Sequence, residues 1–368
     1  MSEQVHLGAS AAHASRHAER GYRSLVVSTI YTVAKRAGVS TATVSRVMSQ
    51  PEIVSPTTRH KVLQAVEDLG YTPNSAARHL RTLRSGKLLV TVPDICNPFF
   101  ALILQGIEDA AHRDGYAVLL GDTQHDETRE ERYALMLRRK EADGLIFLGH
   151  RLPDAAQAFI RSIAPRCAPV VNSCEFSSRL GVPGVHIDNA RAAADGLEHL
   201  YRLGHQRIGI VTGPLTSPVS RDRLRGVKMR AKISGNEGDL EIVTGTFSIE
   251  SGAEAADRLL AQPAPPTAIF CFNDEMAIGV LDAARQRSVR VPRDLSVVGF
   301  DDIRFARYVD PPLTTIAQPM REIGEGSVRL LLDILQGRTT TPQSITLPHT
   351  LMIRSTTAPV GLGAEASA

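Results

Sequence analysis

Four cysteines are all that this 368-residue chain contains, and no two share a C-x-x-C spacing. Cys96, Cys167, Cys174 and Cys271 sit in mostly apolar surroundings. Neither a disulfide framework nor zinc is expected, and a reducing compartment is. No apolar run approaches the roughly 18 residues needed to span a bilayer. The opening stretch MSEQVHLGASAAHASRHAERGYR is polar and lacks the apolar core of a secretory leader. No strand-like run leads into G-x-G-x-x-G. G-x-x-x-x-G-K-[ST], H-E-x-x-H and G-x-S-x-G are also missing. The 12 histidines show no metal spacing. These absences disfavour a nucleotide-dependent or hydrolytic enzyme. No catalytic residue is nominated, and no cofactor, metal or membrane partner is expected.

Charge is nearly balanced overall, at +3, but unevenly spread. Residues 28–87 hold nine Lys/Arg against three Asp/Glu, whereas residues 88–368 hold 30 against 34. A basic module on a mildly acidic body points to a polyanionic partner for that module.

Within the basic module, TIYTVAKRAG places Ile30, Val33, Ala34 and Ala37 at helical spacing, and Gly38 stops the helix. After a short turn comes VSTATVSRVM, with Val39, Val44, Val47 and Met48 at helical spacing and small hydroxyls between them. A third helix is read in SPTTRHKVLQAVEDLG. Ser55 caps it, Pro56 suits its first turn, Val62, Leu63, Val66 and Leu69 form its apolar stripe, and Gly70 closes it. YTPNSAARHLRTLRSGK follows with few core residues. Residues 74–81 of it could form a helix only with outside support.

From residue 88 onward, strand-like runs alternate with amphipathic helical ones, which argues a parallel sheet covered on both faces. Nine strands are read, from LLVTVPD to TTIAQ. Many end in Asp, Asn or Gly: Asp94, Asp122, Gly149, Asn172, Asp188, Gly213, Asn273 and Asp301. Ligands of open α/β sheets bind at such carboxyl ends, although Asp and Asn also simply cap helices.

The second short helix answers to a helix–turn–helix. The second helix of such a unit enters the major groove, where small hydroxyls allow close approach and Arg46 can address guanine or phosphate. The stretches VAKRAGVSTATVSRVM, VSPTTRHKV and LGYTPNSAARHLR resemble the headpiece of the LacI/GalR family. PDICNPFF, VHIDN, HLYRLGHQRIGIVTGP, RLRGV, CFNDEMAIGVL, VPRDLSVVGFDDI and PPLTTIAQP resemble its body. The likeness covers about residues 28–358. STATVSRVM, VPDICNPFF and VHIDN look most like the cytidine-responsive branch.

The resemblance implies an all-α helix–turn–helix headpiece (28–73) and a hinge helix or linker (74–87). An effector-binding and dimerisation body follows (88–358), made of two doubly wound α/β subdomains like those of periplasmic binding proteins. A disordered extension (1–27) and a flexible tail (359–368) flank these parts. DNA-contacting positions carried over are Tyr31, Thr41, Ala42, Thr43, Ser45, Arg46 and Ser55, with Asn74, Ala77, Arg78 and Leu80 in the hinge. Ala42 offers only a methyl, suited to a thymine methyl, and Leu80 matches a minor-groove wedge. Effector positions carried over are Phe99, Phe100, Asp188, Arg223, Phe247, Asn273 and Asp301, with Asp94 added from its strand end. The resemblance further implies a cytoplasmic, nucleoid-associated C2 homodimer that binds double-stranded operator DNA. The tetramerising leucine-heptad tail is not expected. A nucleoside or sugar effector would tune a repressor, as inducer or corepressor. Two other readings stay open at this point. One is a periplasmic-type sugar- or nucleoside-binding protein without DNA function, the other a nucleotide-dependent α/β enzyme.

Overall fold

The computed structural model describes residues 28–72, 84–164, 166–236, 239–341 and 343–361. The hinge positions Asn74, Ala77, Arg78 and Leu80 lie outside the described residues, as do residues 1–27 and most of the tail. The chain divides into two units, residues 1–82 and 83–368.

The described part of the first unit holds α1 (Ile30–Ala37), α2 (Thr41–Ser49) and α3 (Pro56–Asp68). Local chemistry sets their ends. Thr29 and Thr32 cap α1 reciprocally, and Gly38 ends it in the left-handed region at φ 67°. The Ser40 hydroxyl accepts from Thr43 N at 3.1 Å to start α2. Ser55 does the same for α3 through Thr58 N, with Pro56 in the first turn. Val33, Ala34, Val44, Val47, Val62 and Ala65 form the core, flanked by Ile30, Val39, Val54, Val66 and Tyr71. The apolar stripe expected of α3 therefore needs correction. Leu63 and Leu69 are 47% and 36% exposed, and Ala65 takes the inner position. Met48 on α2 is also exposed. A helix this short buries only one narrow face, so apolar type alone overcounts its core.

The second unit holds two six-stranded sheets. The first has strands β1 (Lys87–Val92), β2 (Ala117–Asp122), β3 (Gly144–Phe147), β4 (Val170–Ser173) and β5 (Gly184–Ile187). The second has β6 (Ile208–Thr212), β7 (Leu240–Thr244), β8 (Ala268–Cys271), β9 (Ser296–Asp301) and β10 (Thr314–Ala317). Short strands β11 (Ile345–Leu347) and β12 (Thr350–Met352) complete the first and second sheets respectively. The spatial orders are β11-β5-β4-β3-β1-β2 and β12-β10-β9-β8-β6-β7. All pairings are parallel except β10 with β12. Each sheet reverses direction beside its first strand, the switch point where doubly wound folds bind ligands.

Helices α4 (Pro98–Arg113), α5 (Glu127–Arg138) and α6 (Asp154–Ile163) connect the first four strands, and a short 3-10 turn (Ser178–Leu180) lies between β4 and β5. Helix α7 (Asn189–Arg202) carries the chain into the second subdomain. There α8 (Pro218–Ser234), α9 (Ile249–Leu260) and α10 (Asp274–Gln286) alternate with strands. Helix α11 (Met320–Leu335) returns to pack on α4. The chain thus crosses between subdomains after β5, after β10 and after β11. Close packing of α4 on α11 depends on two glycines. A Cβ on Gly106 would overlap the Arg321 carbonyl, and one on Gly324 the Ile103 carbonyl. Central strands are wholly buried, as in β6 and β9, which is why they read as unbroken apolar runs.

Candidate functional site

The carboxyl ends of both sheets line one cavity of about 250 Å³, near the lower end of the roughly 300–1,000 Å³ typical of small-molecule sites. β1 leads to Asp94 and to Phe99 and Phe100 at the start of α4. β4 leads to Cys174 and Glu175, and β7 to Thr246, Phe247 and Ser248. β8 leads to Asn273 and Glu275, β9 ends in Asp301, and β10 leads to Gln318. α8 contributes Val219 and Arg223. Seven of the eight expected effector residues meet here. Asp188 does not. It caps α7 by accepting from Arg191 N at 3.0 Å and lines a different cavity. A strand-ending Asp that precedes a helix is claimed by that helix first.

Arg223 is buried at 4% exposure. Its Nε donates to Asn189 Oδ1 at 2.8 Å, and its Nη1 donates to the Phe272 carbonyl. Its guanidinium lies 3.6 Å from the centre of the Phe300 ring. Nη2 stands 3.7 Å from Asp301 Oδ1. Asp301 also accepts from Gln318 Nε2 at 2.7 Å. Burial pushes the Asp301 carboxyl well above the usual range, and the opposing pull of Arg223 and the Gln318 hydrogen bond do not cancel it. Asp274, the first residue of α10, is fully buried. It accepts from Thr315 Oγ1 at 2.5 Å and from Ile303 N at 2.8 Å. Burial raises it too. It braces the loop after Asp301 rather than facing the cavity.

Asn273 proves less available than its strand-end position suggests. Its Oδ1 accepts from Met276 N at 3.0 Å to cap α10, and its Nδ2 donates to the Phe247 carbonyl at 2.8 Å. It therefore holds Phe247, whose ring sits where a Cβ on Gly213 would be. Phe99 and Phe100 meet edge-on at 5.2 Å and are mostly buried. His125, Cys174, Phe247 and Asp301 line the cavity with positive φ, at 54°, 53°, 67° and 118°. Four non-glycine residues in that region around one cavity mark a strained, preorganised wall.

Five carboxylates border the cavity (Asp94, Glu175, Glu250, Glu275 and Asp301) against Arg223 and His125. Glu175 is engaged by His150 Nδ1 at 2.9 Å, which raises the His150 imidazole above its ordinary range. Glu275 has no hydrogen-bond partner among the described residues. Burial, then repulsion from Asp94, Asp301 and Glu250, raises its pKa to about 7. A carboxyl raised in the folded state destabilises the fold as pH rises from its unfolded value, 4.5, through about 7. Glu275→Gln should therefore flatten part of the fall in melting temperature between pH 5 and pH 8. Parallel melts of wild type and variant across that range would show no difference if Glu275 were solvated.

Glu275, Glu175 and Gln318 were not nominated from sequence. Gln318, Glu175 and Glu275 lie one, two and four residues past the ends of β10, β4 and β8, in the strand-end loops to which the sequence pattern pointed.

In the headpiece, Val44 and Val47 turn α2 inward. Ala42 and Arg46 are exposed, and Thr41, Thr43 and Ser45 are half-buried. Tyr31 stands 75% exposed on α1. Thr43 and Ser55 are partly committed, since the Thr43 hydroxyl meets Ser40 Oγ at 3.0 Å and Ser55 Oγ donates to Thr58 Oγ1 at 2.9 Å. A helix–turn–helix with a small, hydroxyl-rich outer face is the geometry of a major-groove reader.

Comparison with known proteins agrees with both units. Residues 29–74 match the model of bacterial regulatory proteins of the lacI family, and residues 197–357 match a periplasmic binding protein-like domain. The chain is 43% identical to the HTH-type transcriptional repressor CytR of Escherichia coli K12, over 89% of this chain and 96% of the relative. It is 37% identical to catabolite control protein A of Priestia megaterium, over 89% and 99%. Among solved structures, a lac repressor dimer bound to operator and the anti-inducer ONPF shares 31% identity. The match has a TM-score of 0.82 over 90% of this chain and 99% of that one. A LacI family regulator from Enterococcus faecium with bound ribose shares 30% identity, with a TM-score of 0.67 over 74% and 99%. A DNA-reading headpiece joined to a two-lobed binding body, matched along nearly the full length of such repressors, makes this chain a member of the LacI family of DNA-binding transcriptional regulators and not an enzyme.

Proposed function

We propose that the effector is an uncharged pentose-bearing molecule, a nucleoside first and a free sugar second, held in the cleft between the two body subdomains. The observation that carries this is the charge of the cavity. Five carboxylates face two basic groups, so a phosphorylated ligand would meet net repulsion while hydroxyls find acceptors. Arg223 and Asp301 offer a buried donor and acceptor for neighbouring sugar hydroxyls. Phe99, Phe100 and Phe247 offer apolar surface for a ring. Bound ribose in one structural relative fits the same chemistry. Operator and effector would then favour different arrangements of the two lobes, each changing the other's affinity by one shared factor.

Headpiece residues Ala42, Ser45 and Arg46 would meet base edges in this reading, with Tyr31 and Ser55 on the backbone. The regulator would act as a homodimer at the nucleoid. Phe305 and Tyr308 remain 53% and 72% exposed in the described body, which suits a self-association surface. Calorimetric titration with cytidine, adenosine, uridine and ribose tests the effector assignment. At least one nucleoside should bind one molecule per chain. Silence from all four would reject the pentose.

A further inference from the structure

A second cavity, of about 640 Å³, lies beside the first. The residues after β4, the end of β5 and the first turns of α8 enclose it, so α8 separates two cavities of opposite character. Arg179, His186, Arg221 and Arg225 line the second one, together with Asp188 and Asp222. Both carboxylates are already engaged. Asp188 caps α7, and Asp222 pairs with Arg225 at 3.1 Å. Arg179 has no ionic partner among the described residues. Arg221 is fixed by donating from Nη1 to the carbonyls of Leu215 at 2.8 Å and Thr216 at 2.7 Å, which leaves its other N–H groups. His186 Nδ1 donates to the Ile187 carbonyl at 2.9 Å, so Nε2 is its remaining edge. The His186 and Phe176 rings stack 4.2 Å apart and 3° from parallel, making a flat apolar platform in the wall.

α8 begins in this wall at Pro218, and Ser217 gives it no side-chain cap. The Ser217 and Ser220 hydroxyls are buried with no partner among the described residues. Through Pro218 and Arg221 a 17-residue helix presents its positive end to this cavity, while those two hydroxyls lie behind its lining. We infer that this second cavity binds a phosphomonoester of nucleotide size. The phosphate would sit between Arg179, Arg221 and the α8 terminus, and a ring would lie on the Phe176–His186 platform. The carboxylate-rich first cavity would repel the same ligand.

The test is calorimetric titration of the full chain with adenosine 5′-monophosphate. Amide exchange with and without the nucleotide would be measured alongside. One molecule per chain should bind, and exchange should slow in 176–189 and 218–225. Arg179→Ala/Arg221→Ala should weaken binding at least tenfold while keeping the wild-type melt. If losing Arg221 unfolds the 215–216 loop, Arg179→Glu alone should still weaken binding. No saturable binding, unchanged affinity in these variants, or protection at 94–100 and 246–250 instead would overturn the site.

Discussion

Asp301→Asn should cost the body at least tenfold in effector affinity while the fold survives, whereas Arg223→Ala should damage both. The difference follows from their partners. Asn at 301 keeps the volume, can still accept from Gln318, and removes a carboxylate whose charge burial already opposes. Ala at 223 strips the partner from Asn189 Oδ1 and the Phe272 carbonyl and leaves the Phe300 face and Asp301 without their cation. Breaking a buried pair by deleting one member costs about 3–5 kcal/mol. The raised Asp301 carboxyl can take up a proton when its cation is gone, so the lower end is expected. Arg223 is thus built into the frame that it serves. Its loss cannot be read as a pure effector phenotype, and the Asp301 substitution carries the test. Titration with the nucleoside that wild type binds, beside thermal melts of both variants, measures each term. Wild-type affinity in Asp301→Asn would remove that carboxylate from the site.

The central strands were legible because each is buried on both faces and reads as an apolar run. The three strands missed, β7, β11 and β12, all lie at sheet edges. LEIVT in β7 exposes most of its side chains, so its residues alternate weakly and resemble a loop. The site was legible through strand ends, but only in part. Asp94, Asn273 and Asp301 reach the cavity. Asp122 instead accepts from Ile95 N at 3.3 Å, Asn172 donates to the Phe147 and Gly149 carbonyls, and Asp188 caps a helix. Sequence position names the strand end, but the competition between cap, turn and cavity is decided by the neighbouring backbone. Glu275 shows the converse. It follows an obvious cap, Asn273, by two residues, and only the fold reveals the burial and the neighbouring Asp94, Asp301 and Glu250 that make its charge conspicuous.

Operator binding should fall steeply with salt, and Arg46→Ala should weaken it by roughly 1–3 kcal/mol if the guanidinium makes a bidentate base contact. Nine Lys/Arg against three Asp/Glu in residues 28–87 supply the phosphate-neutralising charge. Each phosphate neutralised adds about −0.9 to the slope of log affinity against log salt. The headpiece structure separates which cations count. Arg36 is committed to Asp68 at 3.1 Å, so Arg36→Ala removes an exposed ion pair of little worth and should change affinity only slightly. Arg46 is exposed on the outer side of α2, away from Val44 and Val47. Its loss should fall on specific sites more than on random DNA, because phosphate contacts survive it and a base contact does not. Gel-shift titrations of wild type, Arg36→Ala and Arg46→Ala on operator and random duplex, each at several salt concentrations, give both slopes and the specificity ratio. An equal loss on both duplexes would reassign Arg46 to the backbone. Full operator affinity in a fragment lacking residues 1–87 would remove DNA reading from the headpiece altogether.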